Sequence, residues 1–388
     1  MRQRLLALAL ATFLIIAVVS ISACASTTSP PVPGPTVTTQ LTSQPEGSPT
    51  ASATKPASQP TASQAAPTSA ANSIPTSNVA TPTKVSFGLI AAVMAAPNYV
   101  ALEKGYLREQ GIDLSIESFP DTVRIMTLIA TGKLHMGQVT MGVAALNAFA
   151  RKTDMVIVAS ANQESGSFLV VRKDLYDSGA VKSVADLKGR KVALNGKGTM
   201  LEYSLATMLE KGNVKMTDVD IPILAWPDML VALRNKAIDA GLIGEPIATQ
   251  AVKLDVGVKL PDASVPRGQN GTIFANSTWA KENPQAVRNY LIGYIRAIRD
   301  LNGGKIHDDP VALDIISKYT RVPVETLKEI PGPYWDPNGR LDRKSIRDVQ
   351  QFFMETKAVQ YSEPIPIDSI IDESYLEQAL AVVGTVPK

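Results

Sequence analysis

Cysteine and histidine are nearly absent: Cys24, His135 and His307 are all that 388 residues contain of the two types. A single thiol excludes an intramolecular disulfide, so the fold stands on its core alone. The same scarcity argues against a His/Cys metal cluster, and neither a metal nor a cofactor is expected. Charge of one sign is lacking too. Lys and Arg number 38 against 36 Asp and Glu, a formal net charge of +2, which leaves no basic footprint for nucleic acid. After Val19 no apolar run approaches the roughly 20 residues of a membrane-spanning helix.

What is present begins with a processing signal. Arg2 and Arg4 precede an almost unbroken apolar stretch, Leu5 to Val19, which ends in the small residues Ser22 and Ala23. That layout fits a secretory signal, too short and wrongly flanked for a durable transmembrane anchor. Ile21-Ser22-Ala23-Cys24 resembles the bacterial lipobox. The resemblance implies transfer of a diacylglyceryl group to the Cys24 sulfur and cleavage before it. Residues 1–23 are therefore expected to be a signal peptide, and the mature chain to be lipid-anchored at the extracytoplasmic face of the cell membrane. Residues 24–83 are mostly Ser, Thr, Pro and Ala, too poor in apolar side chains to bury a core, and are expected to form a disordered tether. A flexible chain of that length spans roughly 45 Å r.m.s..

Order is expected from "KVSFGLI" onward, where strand-like and helical patterns alternate as in an α/β architecture. Pro97 suits the start of a helix that Gly105 closes. Asp121 can cap the helix "DTVRIMTLIAT", which Gly132 ends. "KLHMGQVT" and "MVIVASA" read as strands. Thr199 and Glu202 spell a capping box before a helix with Leu201, Leu205, Met208 and Leu209 on one face. "DVDIPILAW" reads as a further strand. The unit "DMLVALRNKAIDAGLIGEP" repeats the build of "RIMTLIATGKLHMGQVT", so two similar lobes are expected. The rest, "PQAVRNYLIGYIRAIRDL" above all, is mainly helical.

The stretch "PNYVALEKGYLREQGIDLSIESF" resembles the opening of bacterial ABC-importer solute-binding proteins. The matching branch takes sulfonates, taurine, nitrate, thiamine pyrimidine precursors and riboflavin. "LIATGKLHMGQVT", "SVADLKGRKVALNGKGT", "WPDMLVALRNKAIDAGLIGEP" and "STWAKENPQAVRNYLIGYIRAI" continue the likeness from residue 84 to the C-terminus. It implies the type II periplasmic-binding fold: two α/β lobes, two crossing segments, and a ligand cleft between the lobes. The crossings are expected near Ser167 to Val171 and Gly268 to Ile273. Lobe 1 would then comprise 84–171 and 272–388, and lobe 2 172–271. The chain departs from the pattern at His135, where the family commonly has Asp and the second lobe keeps Asp239. It departs again at Lys236, which replaces a frequent Gly.

Loops that follow strands should line the cleft. Trp226 can stack on a planar ligand or pack a hinge, and Tyr203 can reach the cleft or pack. Asn98, Thr140, Asn162 and Gln163 offer neutral hydrogen-bonding groups, or serve turns and caps. Arg124 opposes the macrodipole in the first turn of its helix, where it answers a ligand charge or Asp121. Phe119, Lys197, Thr199 and Glu245 complete the candidate ligand-binding set. "NGKGT" lacks the spacing of a phosphate loop, so nucleotide hydrolysis is not expected. What is left there is a helix N-terminus, a generic anion site, where Glu202 would compete with a small anion.

The implied function is non-catalytic: a monomeric, lipid-anchored subunit that captures a small nutrient and delivers it to an ABC permease. Few cations and several rings, among them Trp226, Tyr203, Phe119 and Phe168, favour a planar heteroaromatic ligand. Within the family's range that means riboflavin, then a thiamine pyrimidine precursor. Sulfonate, taurine or nitrate is the alternative. Two other classes stay open: a cysteine-poor relative of the fungal pyrimidine-synthesising enzyme, and a ligand sensor.

Overall fold

The computed structural model describes residues 81–387 except 165, 262, 264 and 302–304. The expected signal peptide, Cys24 and nearly all of the expected tether lie outside the described residues.

Two mixed sheets organise the chain. The first has the order β2-β1-β3-β9-β4, built from β1 (Thr83–Leu89), β2 (Ile112–Ser118), β3 (Met136–Thr140), β4 (Val156–Asn162) and β9 (Gly271–Ala275). β1 runs parallel to β2 and β3, and β9 is antiparallel to β3 and β4. The second has the order β6-β7-β5-β8, from β5 (Ser167–Arg172), β6 (Val192–Ala193), β7 (Ala240–Gly244) and β8 (Gly257–Lys259). Each sheet carries one lobe of the type II periplasmic-binding fold.

The principal helices of the first lobe are α1 (Ala96–Glu103), α2 (Thr122–Ala130) and α3 (Val143–Ala150). Those of the second are α4 (Met200–Lys211), α5 (Trp226–Arg234) and α6 (Ile247–Lys253). The C-terminal part returns to the first lobe with α7 (Pro284–Leu301), α8 (Pro310–Thr320), α9 (Arg343–Glu355) and α10 (Ser374–Val383). Pro97 lies in the first turn of α1, and Gly105 follows it at φ +79°, the left-handed conformation that ends helices. Asp121 caps α2, its Oδ1 accepting from Arg124 N at 2.8 Å.

One face of the first sheet buries Phe87, Tyr99, Tyr290, Tyr294 and Trp335 with α1, α7 and α10. The other buries Ile125, Ile129, Phe149, Phe274 and Phe353 against α2, α3 and α9. Apolar contact with both faces explains why β9 and β7 are buried at every position.

Two expectations change. Ser167 to Val171 was expected as a crossing within lobe 1, yet Ser167–Arg172 is an interior strand of the second sheet, paired with β7 and β8. Its side chains read as an apolar run because both of its faces are packed, Leu169 and Val171 into one cluster and Val170 into another. The chain changes sheet before it, between Asn162 and Ser167, and returns between Lys259 and Gly271. Residues 167–171 therefore belong with the second lobe, and Gly271 with the first. The expected strand "DVDIPILAW" forms only isolated bridges, Lys191 with Asp220 and Leu194 with Ile223. Pro222 has no N–H to donate to a ladder.

Candidate functional site

A cavity of about 590 Å³ opens between the lobes. Thr122, Thr140, Gly142 and Val143 line it from the first lobe, and Lys197, Gly198 and Thr199 from the second. Three helices begin here, and a helix start presents N–H groups without intrahelical partners. Two of the three starts are already occupied. Asp121 holds that of α2. Thr199 Oγ1 accepts from Glu202 N at 3.3 Å at the start of α4. The Glu202 carboxylate accepts from Gly198 N at 2.5 Å, one residue earlier than the Thr199 N of a reciprocal capping box.

The start of α3 is different. Its N-cap is Gly142, which offers no side-chain acceptor. Val143 N donates instead to Gly198 O across the lobes at 2.9 Å. The approach is close enough that a Cβ on Gly142 would lie 2.5 Å from Gly198 O. Lys197 is exposed on the opposite wall. The cavity therefore combines one helix terminus free of any carboxylate cap with one unburied cation, an arrangement suited to a small anion.

Thr140, Lys197 and Thr199 meet in this cavity. The other candidates are elsewhere. Asn98 is fully buried in α1: its Oδ1 accepts from the Tyr290 hydroxyl at 2.6 Å, and its Nδ2 donates to Gln138 Oε1 at 3.1 Å and Ala95 O at 3.3 Å. With its bonds committed inside the core, it is not a cleft group. Asn162 and Gln163 hold the first crossing. Asn162 Nδ2 donates to Glu164 O at 2.6 Å, and Gln163 Nε2 donates to Arg340 O at 2.9 Å.

Phe119 packs beside Gly88, with the exposed Arg124 guanidinium 5.9 Å from its ring centre. Tyr203 stands edge-on to Phe352 of α9, centroids 5.5 Å apart, and burial raises its phenol above the ordinary tyrosine range. Trp226 was expected on a loop after a strand, but it is the first residue of α5. Its indole lies over Gly244, where a Cβ would come within 2.5 Å of the ring. The indole Nε1 is buried without a hydrogen-bond partner among the described residues. Glu245 was expected as a cleft acceptor. Its side chain is 6% exposed and accepts from Lys259 Nζ at 2.6 Å and from Thr249 N and Oγ1 at 3.0 Å. A carboxylate so enclosed and so fully paired has no vacancy for a ligand donor.

Gln269 is the residue that sequence reasoning missed. It is fully buried in the second crossing; its Nε2 donates to Ser160 Oγ at 2.9 Å and to Gly271 O at 2.5 Å. Its Oε1 accepts from Asp342 N at 2.9 Å, which ties the crossing to the cap of α9. An amide flanked by glycines just before a strand, "RGQNGTIFA", was the available signal.

Residues 93–302, more than half of the chain, match the family described as NMT1/THI5 like. The chain belongs to that family. It is 26% identical over 211 residues to a protein of Escherichia coli K12 named for aliphatic sulfonate binding, covering 54% of this chain and 63% of that one. It is 24% identical over 216 residues to the riboflavin-binding protein RibY of Chloroflexus aurantiacus, covering 54% of this chain and 60% of that one. The chain thus spans less than two thirds of the length of either curated relative. Among solved structures, the periplasmic aliphatic sulphonate binding protein SsuA of Escherichia coli superposes with a TM-score of 0.61 at 19% identity. That match covers 76% of this chain and all of the other, and it carries the two-lobed fold across.

Proposed function

We propose that this chain is the solute-binding subunit of an ABC importer. In this reading it is non-catalytic and monomeric, anchored outside the cytoplasm by lipid on Cys24 and by a tether over residues 24–83. Lobe closure on the ligand presents it to the permease. The relatives named for binding support the class, and the ligand assignment rests on the cavity.

The ligand in this reading is a small anion of the sulfonate or nitrate type. The observation that carries it is the α3 terminus, which opens into the interlobe cavity with no carboxylate capping it. Glu202 does occupy the start of α4, but α3 supplies a second terminus that sequence reasoning did not consider. The flavin reading is weaker on the same ground. It needs a stacking ring, and no aromatic side chain lines the cavity. Trp226 covers Gly244, Tyr203 meets Phe352, and Phe168 lies 4.0 Å from Lys259 Nζ.

Calorimetry with methanesulfonate, nitrate and riboflavin tests the choice. Binding of either anion, with none for riboflavin, is expected. The reverse ranking restores the flavin. Detergent partitioning tests the anchor: the Cys24→Ala variant should remain in the aqueous phase, and entry into the detergent phase rules the lipid out.

A further inference from the structure

The helix α3 is apolar at every position but one. In "VAALNAFA" the exception is Asn147, which is 7% exposed. An asparagine weakens a helix relative to alanine, because its side chain competes for backbone hydrogen bonds, so the helix itself gives no reason for it. One half of the amide is structural: Oδ1 accepts from Gln360 N at 2.8 Å and holds the loop after α9. That bond fixes which way the amide points, since an N–H donor requires the oxygen. Nδ2 is then left without a hydrogen-bond partner among the described residues. It is not sealed in protein as the Trp226 indole Nε1 is. Asn147 lines the interlobe cavity. Gln360, toward which Oδ1 is turned, borders the outer groove between α2 and α3 instead. The open space that Nδ2 meets is therefore the interlobe cavity.

Asn147 follows Val143 by one turn, about 6 Å along the helix axis. Helical side chains lean toward the N-terminus, so the amide reaches back over the turn that Gly142 opens. We infer that Asn147 is a specificity-determining residue of the interlobe site: its Nδ2 donates to one oxygen of an anion while another oxygen meets the start of α3. The inference rests on the anion reading above. It adds a residue to that site, and a reason for the site to take an oxyanion in preference to a halide. A single-atom anion offers one contact point, so it satisfies the helix terminus or the amide and not both together. An amide nitrogen is also a donor only, so it favours an oxygen that carries no proton.

The test is calorimetry with nitrate, methanesulfonate and bromide on the wild-type chain, on Asn147→Ala and on Asn147→Asp. The wild type should bind nitrate about tenfold more tightly than bromide, the effect of one hydrogen bond to a charged group. In Asn147→Ala the ratio of nitrate to bromide affinity should collapse toward one. Loosening of the loop at Gln360 would weaken both anions alike, so the ratio separates recognition from structure. Asn147→Asp keeps an oxygen for Gln360 N and removes the donor. Its ratio should fall as far, and it carries the test if Asn147→Ala does not fold. A wild-type ratio below about twofold overturns the role of Asn147 and leaves the anion reading standing, as does a ratio unchanged in a folded variant. If neither nitrate nor methanesulfonate binds the wild type, the anion reading itself fails and this inference with it.

Discussion

His135 shows how one residue can depart from a pattern and still do its job. In the second lobe, Asp239 Oδ2 accepts from Lys191 N at 3.0 Å, joining the start of β7 to its neighbour. In the first lobe the equivalent position is His135, whose Nδ1 accepts from Ser86 N on β1 at 3.2 Å. The imidazole replaces the carboxylate as acceptor, but only while it is neutral. Its ring is stacked on Trp279 with centroids 4.5 Å apart, and burial lowers its pKa below the usual 6.5. The sign follows from linkage. The native state binds this proton less readily than the unfolded chain does, so stability is full above the unfolded pKa. It is lost as pH falls through about 6.5 toward the lowered native value. The urea midpoint of the wild type should therefore drop more steeply between about pH 7 and 5 than that of His135→Asn, whose amide oxygen accepts at any pH. Parallel profiles for the two proteins would remove His135 from the pH response.

At the scale of elements, most helix boundaries were legible because each is written by a local rule. Pro97, Gly105, Asp121, Gly132 and Thr199 act within a turn of where they sit. What was not legible is equally local in cause. The start of α3 carries no capping side chain, so nothing in "TMGVAAL" marks it after the strand "KLHMGQVT", and the terminus stays hidden. The strand expected before Trp226 fails on Pro222. The turn between α5 and β7 carries a further local conflict. Lys236 occupies the position of the family's frequent Gly, and it adopts φ +60°. That conformation costs an L-residue about 1–2 kcal/mol. The pair of Lys236 Nζ with Asp174, at 3.0 Å and with both side chains largely in water, offsets little of it. Lys236→Gly should raise stability by about 0.5–1 kcal/mol, after the extra chain entropy of glycine is subtracted. An unchanged or lower urea midpoint would show that the turn is not strained.

At the scale of the whole molecule, the two-lobed plan could be read from the repeated helix–turn–strand unit, but the contacts between lobes could not. They join residues far apart in sequence: Val143 with Gly198, Tyr203 with Phe352, and the ion pair of Lys253 with Glu329. These contacts hold the lobes together while the α3 terminus still borders the cavity, so an open arrangement has to break them. A ligand shifts that balance only by its preference for the closed state. Gly142 is the most sensitive point, since a Cβ there would meet Gly198 O at 2.5 Å in the closed contact and nothing comparable once the lobes part. With the single native cysteine replaced in Cys24→Ser, spin labels at Lys133 and Glu210, one exposed residue on each lobe, report the separation directly. Saturating methanesulfonate should narrow the distance distribution toward its short end. Gly142→Ala should move the ligand-free distribution to longer distances and weaken binding by about tenfold, because closure must then displace the loop at Gly198 against the added methyl. A Gly142→Ala distribution that overlays the parent's would mean the lobes close without this contact.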